Sequence, residues 1–395
     1  MTAAEPPGRA LAGPAPAGPA ARSSLAEAAA ACRLGWLGLR NRLLMRPGFQ
    51  RWASSFPLTR RVARRKARET FDLVAGFVYS QVLAATVRLG LLPMLADGPQ
   101  DAPALARRLG LPVEAASRLL HAAASLKLAQ AVGDGRFVLG ERGAALLGNP
   151  GALAMVEHHA IVYDDLRDPV ALLRGEVRAT RLSAFWTYAG ERRDAAPEAA
   201  AAYSALMAAS MPLLADDILE AYRFARHRRL LDVGGGEGAF AAAVAARTQD
   251  IRITVFDLPE VAARAERRLS GPAFSGRIDV AAGDFFAGLP AGADAASLVR
   301  ILHDHDDDAA LRLLRAIHAA LPPGGALLVA EPFAGEAGAE PIGDAYFGFY
   351  LLAMGQGRAR RPAEVLALLG QAGFASARLV RTRRPMLTGL IVATR

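Results

Sequence analysis

From residue 228 onward, short apolar runs alternate with helical stretches: LLDV, AFAAAVAAR, ITVFD, PEVAARAERRL, IDVAAGD, ASLVRIL, DDAALRLLRAIHAAL and ALLVAEP. That texture calls for a parallel sheet with crossover helices, an α/β architecture. The first strand-to-helix turn reads Leu230-Leu231-Asp232-Val233-Gly234-Gly235-Gly236-Glu237-Gly238. Its glycines let the chain turn sharply and let a ligand approach the backbone closely. Two acids, Asp232 and Glu237, make the loop a poor setting for a pyrophosphate and a suitable one for a ligand carrying an ammonium and a sulfonium. The spacing is also Gly-x-Gly-x-Gly, which departs from the dinucleotide Gly-x-Gly-x-x-Gly.

Further acids follow at the ends of the next two strands. Asp257 closes ITVFD, where a carboxylate can accept both hydroxyls of a ribose, and Asp284 follows in GDFF with Phe285 placed to pack on an adenine face. With Gly234, Gly236, Leu258 and Arg300 they form the expected cofactor set, and together they favour S-adenosylmethionine over a nicotinamide dinucleotide.

The net charge of +9 is unevenly distributed. Residues 1–70 hold 13 Arg and Lys against three Glu, or +10, which leaves −1 for the other 325 residues. The basicity therefore belongs to an arm and implies no nucleic-acid-binding body. Up to about residue 21 the arm is Ala/Pro/Gly-rich and cannot form a packed core. Residues 25–45 then read as a basic amphipathic helix, weakened by Gly35 and Gly38. An Arg-rich, acid-poor start also matches an organelle transit peptide, but no cleavage-like boundary is evident. One cysteine, Cys32, rules out a disulfide framework within a chain and fits a reducing, cytoplasmic setting. The longest uncharged stretch, 199–215, is broken by Pro212 and too short to cross a bilayer, so no membrane span is expected.

Residues 71–95 are strongly apolar, as expected of a helix buried on most sides in a subunit interface or domain core. Residues 102–148 follow the order helix, turn, helix, turn, hairpin, which is a winged-helix pattern. The second helix offers only Arg118 and Lys127, so dimerisation is the expected role and DNA binding is not. Residues 149–225 look all-helical.

LLDVGGGEG, VFDLP, GDFF, ILHDHDD, LPPGGALLVAEP and GRARR together resemble the acetylserotonin or caffeate type of O-methyltransferase over residues 70–395. AGFVYSQVL, EHHAIVYDDLRDPVALLRG, LVRILHDHDD and GDAYFGFYLLAMGQGR are most similar to the carotenoid branch of purple photosynthetic bacteria, the hydroxyneurosporene and demethylspheroidene O-methyltransferases. The resemblance implies a Rossmann-like methyltransferase domain with an N-terminal, mainly helical winged-helix dimerisation domain. The expected segments are a basic arm (1–60), that dimerisation domain (61–150), a helical linker and substrate-covering segment (151–225) and the S-adenosylmethionine-binding domain (226–395). The expected partners are a hydrophobic small-molecule acceptor, a second copy of the chain, no nucleic acid, and an inner or photosynthetic membrane surface touched through the arm.

Methyl transfer to oxygen needs an acceptor hydroxyl aligned with the sulfonium methyl and a base to take its proton. The resemblance marks His303 as that base, at the end of SLVRIL, with Asp304 and Glu331 as groups that could fix the ring and Glu331 the better candidate. The phenol-methylating relatives usually carry a second glutamate in a Gly-Arg-Glu-Arg motif; here the motif is Gly357-Arg358-Ala359-Arg360, and that brace is missing. The run from His303 to Asp308 could also suggest a metal, but Asp306 suits a helix N-cap with Asp307 and Asp308 in the first turn, so no metal is expected. His158, Tyr203, Met207, Met211, Phe347, Tyr350 and Met354 are the expected acceptor-side residues, and Tyr346 and Phe349 add to the apolar character of the region. Two other functions stay open on the sequence: methylation of a phenolic or polyketide hydroxyl, and a winged-helix regulator that senses S-adenosylmethionine.

Overall fold

The computed structural model describes residues 19–177, 179–185 and 197–395, with side chains from residue 27 onward except 178 and 186–205. The chain divides into two units, Met1–Ser80 and Gln81–Arg395. The first unit holds α1 (Pro19–Leu44), α2 (Pro47–Ser55) and the start of α3 (Arg60–Arg88). Pro47 opens α2 at a position whose N–H would have no helical partner. Among the described residues of this unit only Ala53 is buried.

Of the two settings expected for residues 71–95, a subunit interface or a domain core, the single chain does not provide the core for the first part of the run. Phe71, Leu73, Val74, Phe77 and Val78 are exposed, and burial in the single chain begins only with Ala84, Leu91, Leu92 and Leu95. The uncharged-stretch criterion also missed α3. By length and composition it is the one described helix long and apolar enough to cross a membrane, with Asp72 an isolated charge in its apolar stretch.

The second unit continues with α4 (Leu91–Ala96), β1 (Gln100–Asp101), α5 (Ala102–Leu109), α6 (Val113–Ser125), β2 (Ala129–Gly133), β3 (Arg136–Leu139) and α7 (Glu141–Leu147). Asp101 caps α5 by accepting from the Ala104 N–H at 2.7 Å. Gly133 and Gly135, both at positive φ, make the turn between β2 and β3. β1 adds to the hairpin in the order β1-β3-β2, completing the expected winged-helix arrangement. Four helices follow: α8 (Pro150–Asp165), α9 (Pro169–Leu173), α10 (Arg181–Phe185) and α11 (Pro197–Ala221).

The remaining elements are β4 (Arg229–Val233), α12 (Ala239–Arg247), β5 (Arg252–Asp257), α13 (Pro259–Leu269), β6 (Ile278–Ala282), β7 (Ala295–Val299), α14 (Asp307–Ala320), β8 (Ala326–Glu331), α15 (Gly348–Met354), α16 (Pro362–Gln371), β9 (Ser376–Val380) and β10 (Gly389–Thr394). The sheet order is β6-β5-β4-β7-β8-β10-β9, parallel through β8, with β10 antiparallel to both neighbours. Apolar layers cover both faces, one built around Ile218, Phe240, Val244 and Val255, the other around Leu298, Leu313, Ile317, Val329 and Leu369. Every residue of β7 and β8 is therefore buried, as a sheet covered on both sides requires. The carboxyl ends of β4 to β8 bring Asp232, Asp257, Gly283, Arg300 and Glu331 to one edge.

Helix α8 lies directly on α11. A Cβ on Gly151 would stand 2.6 Å from the Ser210 Cα and 2.7 Å from the Ala209 carbonyl oxygen, both backbone atoms that cannot swing away. Gly151→Val should therefore push the helices apart and cost about 1–3 kcal/mol. Thermal or urea denaturation measures this, and parental stability would contradict the packing.

Candidate active site

The loop after β4 adopts conformations that L side chains rarely tolerate: Gly234, Gly236 and Gly238 have φ of 67°, 58° and 75°. A Cβ at Gly236 would meet nothing within 4 Å, so the backbone there is open to a ligand. Asp257 shapes the loop. Its Oδ2 accepts from the Gly236 N–H and its Oδ1 from the Leu258 N–H, both at 2.8 Å. Burial raises the Asp257 pKa, and these two bonds oppose the rise.

Asp232 is buried at the base of the loop. Its Oδ1 accepts from the Ser297 hydroxyl at 2.7 Å, while its Oδ2 has no hydrogen-bond partner. Burial, with a smaller contribution from the Asp257 charge and despite the Ser297 bond, raises its pKa to about 7. A buried carboxylate oxygen beside an open glycine loop is a fitting seat for a cationic ligand group. Glu237, the other acid of the loop, does not share that role, because it faces Arg264 and Arg268 of α13 at 3.5 and 3.8 Å. After β6, Asp284 accepts from the Phe286 N–H at 2.8 Å, and Phe285 packs with Phe286 and His305 at ring distances of 4.7 and 5.6 Å.

Arg300 follows β7 in the left-handed region, with φ 56°. Its guanidinium donates to the Ser210 hydroxyl at 2.9 Å and the Met207 carbonyl at 3.3 Å, so the described contacts tie the expected cofactor residue to α11. A 3-10 turn, Leu302–Asp304, then presents His303. Glu331, at the end of β8, accepts from the backbone N–H groups of Ile301 (3.1 Å), Leu302 (2.7 Å) and His303 (3.3 Å), and its Oε2 bonds the His303 Nδ1. On the other side of the ring, Asp304 Oδ1 lies 3.1 Å from Nε2. Burial alone would lower the His303 pKa, but the charges of Glu331 and Asp304 and the Glu331 bond outweigh it and raise the value to about 9, with Arg300 opposing. Burial lifts Asp304 to about 6 against the pull of His303.

The following acids hold the turn from outside. Asp306 stands at the N-cap position of α14, but its carboxylate accepts from the Gly357 N–H at 3.2 Å instead of capping the helix. Asp307 pairs with Arg358 and Arg360. The buried Arg360 donates to the carbonyls of Leu302 at 2.8 Å and His305 at 2.6 Å. Arg360 and Ser297 are the two residues sequence reasoning missed. The GRARR motif contained the signal for Arg360; nothing around Ser297 did.

On the acceptor side, His158 Nε2 bonds the Tyr350 hydroxyl at 2.7 Å and His159 Nε2 the Tyr346 hydroxyl at 2.8 Å. Burial holds both imidazoles below their ordinary value, His158 at about 4, so they are neutral at pH 7. Met207, Phe347, Tyr350 and Met354 share an apolar cluster with Val162, Leu172 and Leu182, and the Phe347 ring stands edge-on to His303 at 5.9 Å. Met211 is not brought there. It lines a separate cavity of about 290 Å³ between α11 and α12 with Ala208, Ala239 and Ala243. The side chain of Tyr203 lies outside the described residues.

Two family domains match this chain: the O-methyltransferase dimerisation domain over residues 71–149 and the O-methyltransferase domain over 163–375. The chain belongs to the O-methyltransferase family. It is 45% identical over 351 residues to the demethylspheroidene O-methyltransferase of Cereibacter sphaeroides, covering 88% of this chain and 92% of that protein. It is 32% identical over 342 residues to the acetylserotonin O-methyltransferase of Mus musculus, covering 81% and 87%. Human N-acetylserotonin methyltransferase, solved in complex with SAM, has a TM-score of 0.70 at 25% identity, covering 84% of this chain and 97% of that one. The exposed apolar residues of α3 from Phe71 onward fall within the dimerisation domain.

Asp232 gives a test of the site's electrostatics. Its pKa of about 7 in the fold exceeds the ordinary 3.8, so Asp232 destabilises the fold increasingly as pH rises from 3.8 to about 7 and fully above that, and the penalty is gone below 3.8, where the group is protonated in both states. Asp232→Asn keeps the Ser297 bond and removes the charge. It should raise the melting temperature of the cofactor-free protein at pH 8, with the gain vanishing near pH 4. A destabilised variant at pH 8 would contradict this assignment.

Proposed function

We propose that this O-methyltransferase methylates the hydroxyl of a hydroxylated carotenoid of the demethylspheroidene or hydroxyneurosporene type. The observation that carries this reading is the 45% identity with the demethylspheroidene enzyme across nearly the whole of both chains. The apolar cluster around Phe347, beside His303, suits a polyene acceptor. Such an acceptor resides in lipid, so the enzyme works as a cytoplasmic dimer at a membrane surface. The segments take the roles of arm (1–60), dimerisation domain (61–150), acceptor cover (151–225) and catalytic domain (226–395).

S-adenosylmethionine is the methyl donor, and when bound it supplies an electrophilic sulfonium methyl. The chain's own residues fit it. Asp232 would hold its ammonium, Asp257 its ribose hydroxyls and Asp284 with Phe285 its adenine, with the backbone of Gly234, Gly236 and Leu258 lining the site and Arg300 fixing α11. His303 is the base. Glu331 holds its Nδ1 proton, which turns Nε2 toward the acceptor. An aliphatic alcohol has an acidity near that of water, with a pKa of about 16. Free alkoxide is therefore inaccessible, and Nε2 takes the hydroxyl proton as the oxygen–methyl bond forms and the methyl–sulfur bond breaks. In the ground state the ring is doubly protonated beside the charges of Glu331 and Asp304, and the Nε2 proton must leave first, so the rate should rise with pH toward about 9.

The test incubates purified protein with methyl-labelled S-adenosylmethionine and, side by side, hydroxylated carotenoids and phenolic acceptors. Label should enter the carotenoid ether. His303→Gln should lower single-turnover transfer by roughly 10² to 10⁴ while cofactor affinity holds. Label found only in the phenol, or a variant as fast as the parent, would overturn the acceptor or the base respectively.

A further inference from the structure

We propose that α1 and α2 form a docking surface for a bilayer bearing anionic headgroups. The first unit has no apolar core among its described residues, and although Leu34, Leu44, Met45 and Leu58 lie elsewhere, part of its exposed apolar surface is arranged in rows. On α1, Cys32, Trp36, Leu39 and Leu43 recur at helical spacing within about 60° of arc, flanked by Arg33 and Arg40 on one side and Arg42 on the other. On α2 and its C-cap, Phe49, Trp52 and Phe56 form an aromatic ladder with ring distances of 5.6 and 5.1 Å, with Arg46 at the N-cap and Arg51 within the same helix. Trp36 is 63% exposed and Trp52 51%, so neither row is covered within the first unit.

Charge selects the occupant. Residues 27–70 carry eleven Arg and Lys against two Glu, so a second copy of the arm would meet like charge. A nucleic acid would engage the arginines but leave the Leu and Trp rows in water. An anionic bilayer takes both, with headgroups for the arginines and the interfacial acyl region for Trp and Leu. Residues 1–70 lie outside both family domains, so the family's dimer contact does not account for this surface. The inference rests on the proposed function only for its purpose, access to an acceptor dissolved in lipid; the surface chemistry stands without it.

The full-length protein is mixed with vesicles of phosphatidylcholine alone or of phosphatidylcholine with phosphatidylglycerol, and floated on a density gradient. It should float with the anionic vesicles at about 0.1 M salt and lose that binding near 1 M, where the Debye length falls from about 10 Å to about 3 Å. The pairs Arg33→Glu with Arg40→Glu and Trp36→Ser with Trp52→Ser should each weaken binding about tenfold, while methylation of a detergent-dispersed acceptor stays parental. Equal flotation on neutral vesicles, or none on either, would overturn the proposal. So would retention on RNA without flotation, or dissociation of the dimer by the Trp pair. Flotation without carotenoid methylation would refute the acceptor and leave the surface intact.

Discussion

The Glu331 carboxylate accepts four hydrogen bonds from one turn of chain, three from the backbone N–H groups of Ile301, Leu302 and His303 and one from the His303 ring. Two parallel strands deliver the partners. β7 ends just before the turn and β8 ends at the glutamate, so sheet register alone sets the carboxylate beneath the imidazole. Without that acceptor the turn would leave the buried Leu302 and His303 donors and the half-buried Ile301 donor without a carboxylate partner, directly after the left-handed Arg300.

A second layer keeps this turn in place. Arg360 grips the carbonyls of Leu302 and His305 from inside, and Gly357, at φ 77°, passes so close to the His303 carbonyl that a side chain there has no room. The motif Gly357-Arg358-Ala359-Arg360 thus acts through its glycine and arginines even though its third residue is not an acid. The carboxylate opposite Glu331 across the ring is Asp304, adjacent in sequence to His303, and it raises the imidazole's pKa together with Glu331. The site keeps several buried charges near one another, at a cost in stability that Asp232 shows most clearly through its oxygen without a partner.

Much of this was legible in the chain. The strand-end acids and the glycine loop follow from where a parallel sheet binds ligands, and the winged-helix order follows from its turns. What escaped depended on three-dimensional pairing. Glu237 looks available in sequence, but α13 brings Arg264 and Arg268 against it. Asp306 looks like a helix cap, but a loop fifty residues later supplies a closer donor. Met211 has the right spacing for the acceptor side, yet the rotation of α11 turns it toward α12. The apolar run beginning at Phe71 is exposed in the single chain and lies within the dimerisation domain, which fits the subunit-interface half of its expectation and not the domain-core half.

In the proposed mechanism catalysis turns on which nitrogen of His303 is left bare. Nitrogen-15 NMR of the histidine-labelled protein, with His303 assigned by its loss in His303→Gln, reads this directly across a titration to high pH. The ring should lose its proton near pH 9 and, once neutral, keep the remaining one on Nδ1 toward Glu331. A neutral ring protonated on Nε2 would contradict the role of His303 as base, because no acceptor proton could then be received.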